Sequence, residues 1–219
     1  MNLLIVNFKQ YEVSTGINSI GFIKALSSGL TGTKLQILYA VSSTDLLACR
    51  EIFGESIMAQ HFDPIPSGPH TGHVSYNTLS NMGIRYSLLN HSERRISYDL
   101  ILESVDAARS RQIEVVLCAA SREEVKKFAE LDITYIAYEP PELIGGDISV
   151  STSKPDIVRE AASVCSSNGK RLLVGAGVKT EEDARAAVLL GASGILVSSG
   201  VVLARSPRTA LSSLAKALS

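Results

Sequence analysis

Lys9, His91 and Glu139 each stand at or just past the end of a short apolar run, and Asn7 shares the first of those ends with Lys9. A carboxylate can accept a proton, an imidazole can donate a hydrogen bond to a carbonyl, and an ammonium can offset charge growing on oxygen. Together they suit proton abstraction α to a carbonyl, with Asn7 positioning Lys9 or the substrate. The product of that step is an enediolate, which would expel an adjacent phosphate if left in water. Glu139 is followed by Pro140, Pro141, Glu142, Leu143, Ile144, Gly145 and Gly146. The prolines stiffen the root, Leu143 and Ile144 make an apolar tip, and the glycine pair frees the far end. That make-up suits a lid over a shielded base. The plainer alternative is an ordinary strand-to-helix connection.

Two further stretches, Gly175-Ala176-Gly177 and Ser198-Ser199-Gly200, are built from small residues. Small residues let backbone N–H groups approach an anion, and a helix starting there adds the positive end of its dipole. A phosphate is expected on the N–H groups of Gly177, Ser198 and Ser199, with Ile144 or Gly145 closing from the lid. Taken singly, each place has a simpler reading. Asn7 and Lys9 could mark a strand exit, and His91 could neighbour a helix cap. The glycines could be turn punctuation, and the serines could cap a short turn. The argument for a site is that all five places fall on one rim of one fold.

That fold follows from the elements that must carry them. Apolar runs over 3–6, 35–41, 57–61, 86–90, 114–118, 133–137, 172–174 and 195–197 read as strands, separated by helical patterns. Continuous apolar runs mean strands buried on both faces, hence a parallel sheet with right-handed crossovers. Eight such units favour a closed (β/α)8 TIM barrel, and no compositional break divides residues 1–219, so one domain is expected. No Gly-x-Gly-x-x-Gly follows the first strand, which argues against a dinucleotide fold. Thr15 is expected to cap a first helix carrying Ile17, Ile20 and Ile23. Ser43 or Thr44 should open the second. Ser121 with Glu124, and Thr180 with Asp183, look like capping pairs, while Pro155 and Pro207 stand near helix starts. In a barrel the working face is the rim of strand C-termini, and anions often bind after strands seven and eight.

Composition narrows the class. Over 219 residues the net charge is −1, so no global field recruits nucleic acid or an anionic membrane. Trp is absent and aromatics make up 5%, which disfavours a stacking platform. Cys49, Cys118 and Cys165 lie far apart without metal-ligand spacing and read as buried thiols in a reducing compartment. No leader or membrane-length apolar stretch is seen, so a soluble cytoplasmic protein is expected, with no metal and no cofactor.

Asn7-Phe8-Lys9, Asn90-His91-Ser92-Glu93-Arg94-Arg95, Tyr138-Glu139-Pro140, Gly175-Ala176-Gly177-Val178 and Gly194-Ile195-Leu196-Val197 together resemble the triosephosphate isomerases over the full length. That family is itself a standard example of a barrel with a carboxylate base, a neutral histidine and a closing loop. The short chain, the lid sequence and Gly68-Pro69-His70-Thr71-Gly72-His73 are similar to its archaeal branch. The resemblance implies interconversion of dihydroxyacetone phosphate and D-glyceraldehyde 3-phosphate in glycolysis and gluconeogenesis. It implies Glu139 as proton acceptor and His91 as electrophile, neutral with help from a helix start after Ser92. Asn7 and Lys9 would bind substrate. Glu93 would be the acidic residue near the lysine, and Ser92 would hold Glu139 while the lid is open. Pro140 to Gly146 would form the lid, Ile144 and Gly145 reaching the substrate, with Gly177, Ser198 and Ser199 on phosphate. Thr71 would dock into a neighbouring subunit, giving a dimer or a tetramer. The chain departs from the commoner form at Ser198-Ser199, where that form has a glycine pair. It also has Gly145-Gly146-Asp147 at the far hinge and no Trp after the lid proline. Other readings would be an epimerase, which would want a metal cluster, an aldolase with a reactive mid-strand lysine, or a barrel kept only as a scaffold.

Overall fold

Side chains along each strand turn alternately to two different apolar environments. The computed structural model describes residues 2–28, 30, 35–140 and 150–219. Its strands are β1 (Leu3–Asn7), β2 (Gln36–Val41), β3 (Ile57–Ala59), β4 (Tyr86–Leu89), β5 (Glu114–Ala119), β6 (Tyr135–Tyr138), β7 (Arg171–Val174) and β8 (Gly194–Val197). They pair in sequence order, all parallel, and β1 closes on β8 to complete a barrel. Leu3, Ile5, Leu38, Met58, Leu88, Val116, Ala137, Leu173 and Leu196 fill the interior. Leu4, Val6, Val41, Leu89, Leu117, Ile136 and Ile195 face the outer helices. Fully burying such a side chain contributes about 1.5–3 kcal/mol, so two-faced burial is what makes the apolar runs strands rather than loops.

The helices are α1 (Ser19–Ser27), α2 (Leu46–Phe53), α3 (Tyr76–Asn81), α4 (Tyr98–Ser110), α5 (Arg122–Ala129), α6 (Val150–Ser153), α7 (Pro155–Ser167), α8 (Glu181–Leu189), α9 (Ser199–Val202) and α10 (Pro207–Leu218). Local chemistry sets their starts. Thr180 Oγ1 accepts from the Asp183 N–H at 3.2 Å, and Asp183 Oδ2 accepts from the Thr180 N–H at 3.0 Å, closing a reciprocal cap on α8. Prolines open α7 and α10, where a missing N–H is harmless.

Several expectations need correcting. Ser43 and Thr44 lie in a turn and α2 opens after Asp45, while β3 ends at Ala59 and not at His61. Thr15 caps no α-helix: two 3-10 turns, Glu12–Ser14 and Gly16–Asn18, precede α1, and Ile17 is left 98% exposed. The Gly16 N–H donates to Asp45 Oδ2 at 2.8 Å, so this segment is held to the start of α2 rather than wound into a helix. Ser121 accepts from the Glu124 N–H at 3.2 Å, but Glu124 reaches back to the Ala120 N–H at 2.8 Å and to Arg95, not to the Ser121 N–H. Finally, no helix begins after Ser92. A turn there, closed by the Arg94 N–H on the His91 carbonyl at 2.8 Å, leads by an extended stretch to α4.

The seam between β8 and β1 is tight. Leu3 stands opposite Gly194, and a Cβ at Gly194 would lie 1.9 Å from the Leu3 carbonyl oxygen. Only glycine fits this crossing.

Candidate active site

Strand alternation brings three residues onto the inward face of the C-terminal rim. Past Ile5 the inward position of β1 is Asn7; past Ala137 and Leu173 the same face receives Glu139 and Gly175. One cavity is lined by Asn7, Lys9, His91, Glu139, Gly177, Ser198 and Ser199, so the described site residues from β1, β4, β6, β7 and β8 converge. Glu93 lies beside them through Lys9: its Oε1 accepts from the Lys9 ammonium at 2.7 Å. Pro140, the first residue of the expected lid, is buried. The remaining lid positions, Pro141, Glu142, Leu143, Ile144, Gly145 and Gly146, lie outside the described residues.

Lys9 is held in an unusual way. Its φ is +48°, the left-handed region that lysine seldom adopts. Asn7 Oδ1 accepts the Lys9 N–H at 3.0 Å. Asn90, at φ +59°, makes a comparable rim turn on β4: its Oδ1 accepts the Ile96 N–H at 3.1 Å and its Nδ2 donates to the Cys118 carbonyl at 3.0 Å. These two bonds fix the exit of β4 and hence the backbone that carries His91.

His91 is 7% exposed, and the Glu93 N–H donates to its Nδ1 at 3.2 Å. An Nδ1 that accepts cannot carry a proton, so the proton of the neutral ring is on Nε2. That nitrogen faces Glu139 Oε1 at 3.7 Å, too long for a hydrogen bond between them. A backbone amide, rather than the expected helix start, is what faces the ring at Nδ1.

Glu139 is 4% exposed, and its Oε2 has no hydrogen-bond partner among the described residues. Burial raises its pKa. The charge of His91 when protonated, the Cys118 thiol and the Lys9 ammonium pull it partly back, while Glu93 pushes the same way as burial. Ser92 makes no hydrogen bond to Glu139 here. Below the carboxyl sits the fully buried Cys118 thiol, whose pKa is raised well above the usual value by desolvation and by Glu139. Beside it is Gly175, where a Cβ would stand 2.4 Å from Glu139 Cγ. Gly175 was legible as turn punctuation, whereas its service to Glu139 needs the packing of β6 on β7 to be seen.

On the far side of the cavity, Gly177 has φ +70°, and α9 starts at Ser199. The opening turn of a helix leaves N–H groups without partners inside it. The Ser198 Oγ is buried without a partner among the described residues. Besides Gly175 and the hydrophobic walls Val178, Leu196 and Val197, sequence reasoning left Tyr11, Lys179 and Gly200 of the lining unassigned. Gly200 had a signal in the small-residue stretch; Tyr11 and Lys179 had none.

A larger cavity of about 520 Å³ opens beside Lys9, lined by Gln10, Tyr11, Leu46, Gln60, Val74 and Arg94 among others. Thr71, exposed, stands apart on the loop after β3. Asp63 ties that loop at its root, accepting the Val74 N–H at 2.9 Å and hydrogen bonds from His61 and Arg94 at 3.2 and 3.3 Å. Among the described residues no group of three or more His, Cys, Asp or Glu is placed to hold a metal ion, and no helix is long and apolar enough to cross a membrane.

Comparison with known proteins agrees with this geometry. The triosephosphate isomerase family model matches residues 2–217. The triosephosphate isomerase of Thermoplasma volcanium is 43% identical over 216 residues, which is 99% of this chain and 100% of that protein. That of Methanobrevibacter smithii is 36% identical over 218 residues, 99% and 98% of the two chains. That of Metallosphaera sedula is 34% identical over 210 residues, 95% and 92%. A full-length match at this identity leaves no room for a different fold or a partial likeness: the chain belongs to the triosephosphate isomerase family and interconverts dihydroxyacetone phosphate and D-glyceraldehyde 3-phosphate.

Proposed function

We propose that Glu139 is the base of this isomerisation, His91 its hydrogen-bond donor and Lys9 the cation that offsets charge on the substrate oxygen. The Glu139 carboxylate takes a proton from the carbon next to the carbonyl. The C–H electrons form a carbon–carbon double bond, and the carbonyl π electrons move onto oxygen. The His91 Nε2–H meets that oxygen, and the Lys9 ammonium lowers the energy of the resulting enediolate. Protonation of the neighbouring carbon by the Glu139 carboxyl, with transfer of a hydroxyl proton between the two oxygens, completes the exchange. Desolvation strengthens the base, which brings its basicity nearer the working pH.

Asn7 orders the mouth of β1, and Glu93 holds the ammonium. The N–H groups at Gly177, Ser198 and Ser199 take the phosphate. Pro140 to Gly146 act as the lid, with Ile144 and Gly145 closing on the substrate and keeping water from the enediolate. The observation that carries this reading is the 3.7 Å separation of Glu139 Oε1 and His91 Nε2 in a cavity shared with Lys9. Two groups this close yet not bonded to each other are both free to meet a substrate. Replacing Glu139 by Gln keeps size and removes basicity, so kcat should fall by about 10²–10⁴ with KM little changed. A Glu139→Gln enzyme within a few fold of the wild-type kcat would overturn the assignment.

We further read residues 1–219 as one cytoplasmic domain that works as a homo-oligomer, a dimer or a tetramer. Three buried cysteines without disulfides suit a reducing compartment. Ile17 and Val13 protrude from the turns after β1, and Leu47 is half exposed on α2, to which those turns are tied. Exposed apolar side chains beside a cavity of about 520 Å³ next to Lys9 suit a partner subunit whose own Thr71 loop fills it.

A further inference from the structure

Lys9 needs an explanation that its own side chain does not supply. Its ammonium enters the cavity of His91 and Glu139 from a backbone at φ +48°. Left-handed lysine persists only where the surroundings hold it. Asn7 takes the N–H side of the residue at 3.0 Å. The carbonyl side is taken by Gln60, whose Nε2 donates to the Lys9 carbonyl at 2.9 Å and to the Ala40 carbonyl at 3.1 Å. Two carbonyl acceptors fix which end of the amide is nitrogen. The other end, Oε1, accepts from Gln10 Nε2 at 3.3 Å. Gln60 stands one residue past β3, where the ladder stops, so its side chain does for the rim what the backbone no longer does.

We infer that Gln60 is a positioning residue for the isomerisation: its amide locks the Lys9 peptide against the end of β2 and so aims the ammonium at the reacting oxygen. It acts through Lys9 and touches no substrate atom. Both of its N–H groups are used on carbonyls, so no residue lacking a two-proton donor at that reach can replace it. Gln60 and Gln10 also line the large cavity beside the site, so whatever occupies that cavity bears on the same hydrogen bonds. The inference rests on the role proposed for Lys9.

The test is a double-mutant cycle with Gln60→Met and Lys9→Met, read as kcat/KM on variants whose sedimentation matches the wild type. Gln60→Met alone should lose about 10- to 100-fold, the scale of a misplacement of roughly 1 Å. In the Lys9→Met background it should lose nothing further, because there is no ammonium left to aim. An equal loss in both backgrounds would mark Gln60 as merely structural and overturn the inference. So would a Gln60→Met enzyme with wild-type kcat/KM while Lys9→Met is crippled. Wild-type activity in Lys9→Met would instead overturn the role of Lys9 itself, and this inference with it, while leaving the assignment of Glu139 to its own test. If Gln60→Met does not fold, Gln60→Asn, which keeps the amide but shortens its reach, takes its place in the same cycle.

Discussion

One methyl group at Gly175 should disable the enzyme by displacing Glu139, the proposed base, while leaving every side chain of the site in the sequence. Gly175 is not among the positive-φ glycines, so its backbone accepts alanine. The obstacle is Glu139: the added Cβ would lie 2.4 Å from Cγ and 2.9 Å from both Cδ and Oε1. Ordinary contact starts near 3.4 Å, so the carboxylate arm must retreat by about 1 Å. Displacement on that scale at a proton-transferring group costs about 10²-fold in kcat, which is about 2.7 kcal/mol of transition-state stabilisation. The packing cost of an extra methyl is about 1–3 kcal/mol, so the variant should fold and melt a few degrees lower. A coupled assay of kcat and KM on Gly175→Ala, beside a melting curve, reads both. The loss should fall on kcat, and it should vanish in the Glu139→Gln background, where no base remains to be displaced. A kcat within about threefold of the wild type would refute the idea that Gly175 exists to seat Glu139. An undiminished effect in the Glu139→Gln background would refute it too.

Two more outcomes can be checked. Burial raises the Glu139 pKa, so its protonated form is the one favoured on folding. Its contribution to stability is then fully present below the unfolded-state value and is lost as pH rises through the folded-state value. Glu139→Gln should therefore gain melting temperature relative to wild type as pH rises through that window, and calorimetry showing a gap that shrinks or reverses with rising pH would contradict the burial argument. The same shift should place the acid limb of the wild-type kcat/KM profile above the pH of an ordinary carboxylate. Thr71→Glu, setting a charge at the tip of the proposed docking loop, should weaken self-association by about 2–4 kcal/mol; an unchanged mass on ultracentrifugation at micromolar protein would rule out that contact.

Much of this molecule can be read from residue order, because its strands are buried on both faces and so appear as unbroken apolar runs. The starts of α7, α8 and α10 were visible for the same reason: proline and the Thr180–Asp183 pair act locally. The positions of Asn7, Lys9, His91 and Glu139 at strand ends were legible, but alternation fixes the facing of Asn7 and Glu139 alone; Lys9 and His91 reach the cavity through left-handed residues past the ends of β1 and β4. What was hidden depends on partners distant in the chain. Thr15 looked like a cap, but Asp45 takes the next amide and leaves short turns. β3 stops at Ala59 instead of running to His61, and the Gln60 side chain bonds carbonyls 20 and 51 residues away. The tautomer of His91 depends on a single amide two positions on, which a helix-based expectation passed over. Gly175 resembles any other turn glycine until the carboxylate beside it is seen.

The glycine seam has a bearing on how the enzyme comes into being. Asn7 ends the first strand with Lys9 just past it, Ser198 and Ser199 follow the last, and the pairing of those two strands from Leu3–Gly194 to Val6–Val197 starts where only glycine lets Leu3 come close. Contacts of such sequence separation form late and slowly, because a long loop must close before they return anything. A ribosome that has delivered seven of the eight strands has produced Glu139 and His91 but not Ser198 and Ser199, on which the proposed phosphate site depends. Catalytic competence is therefore a property of the finished ring, and any lesion that frays the seam should silence the enzyme well before it melts the remaining strands.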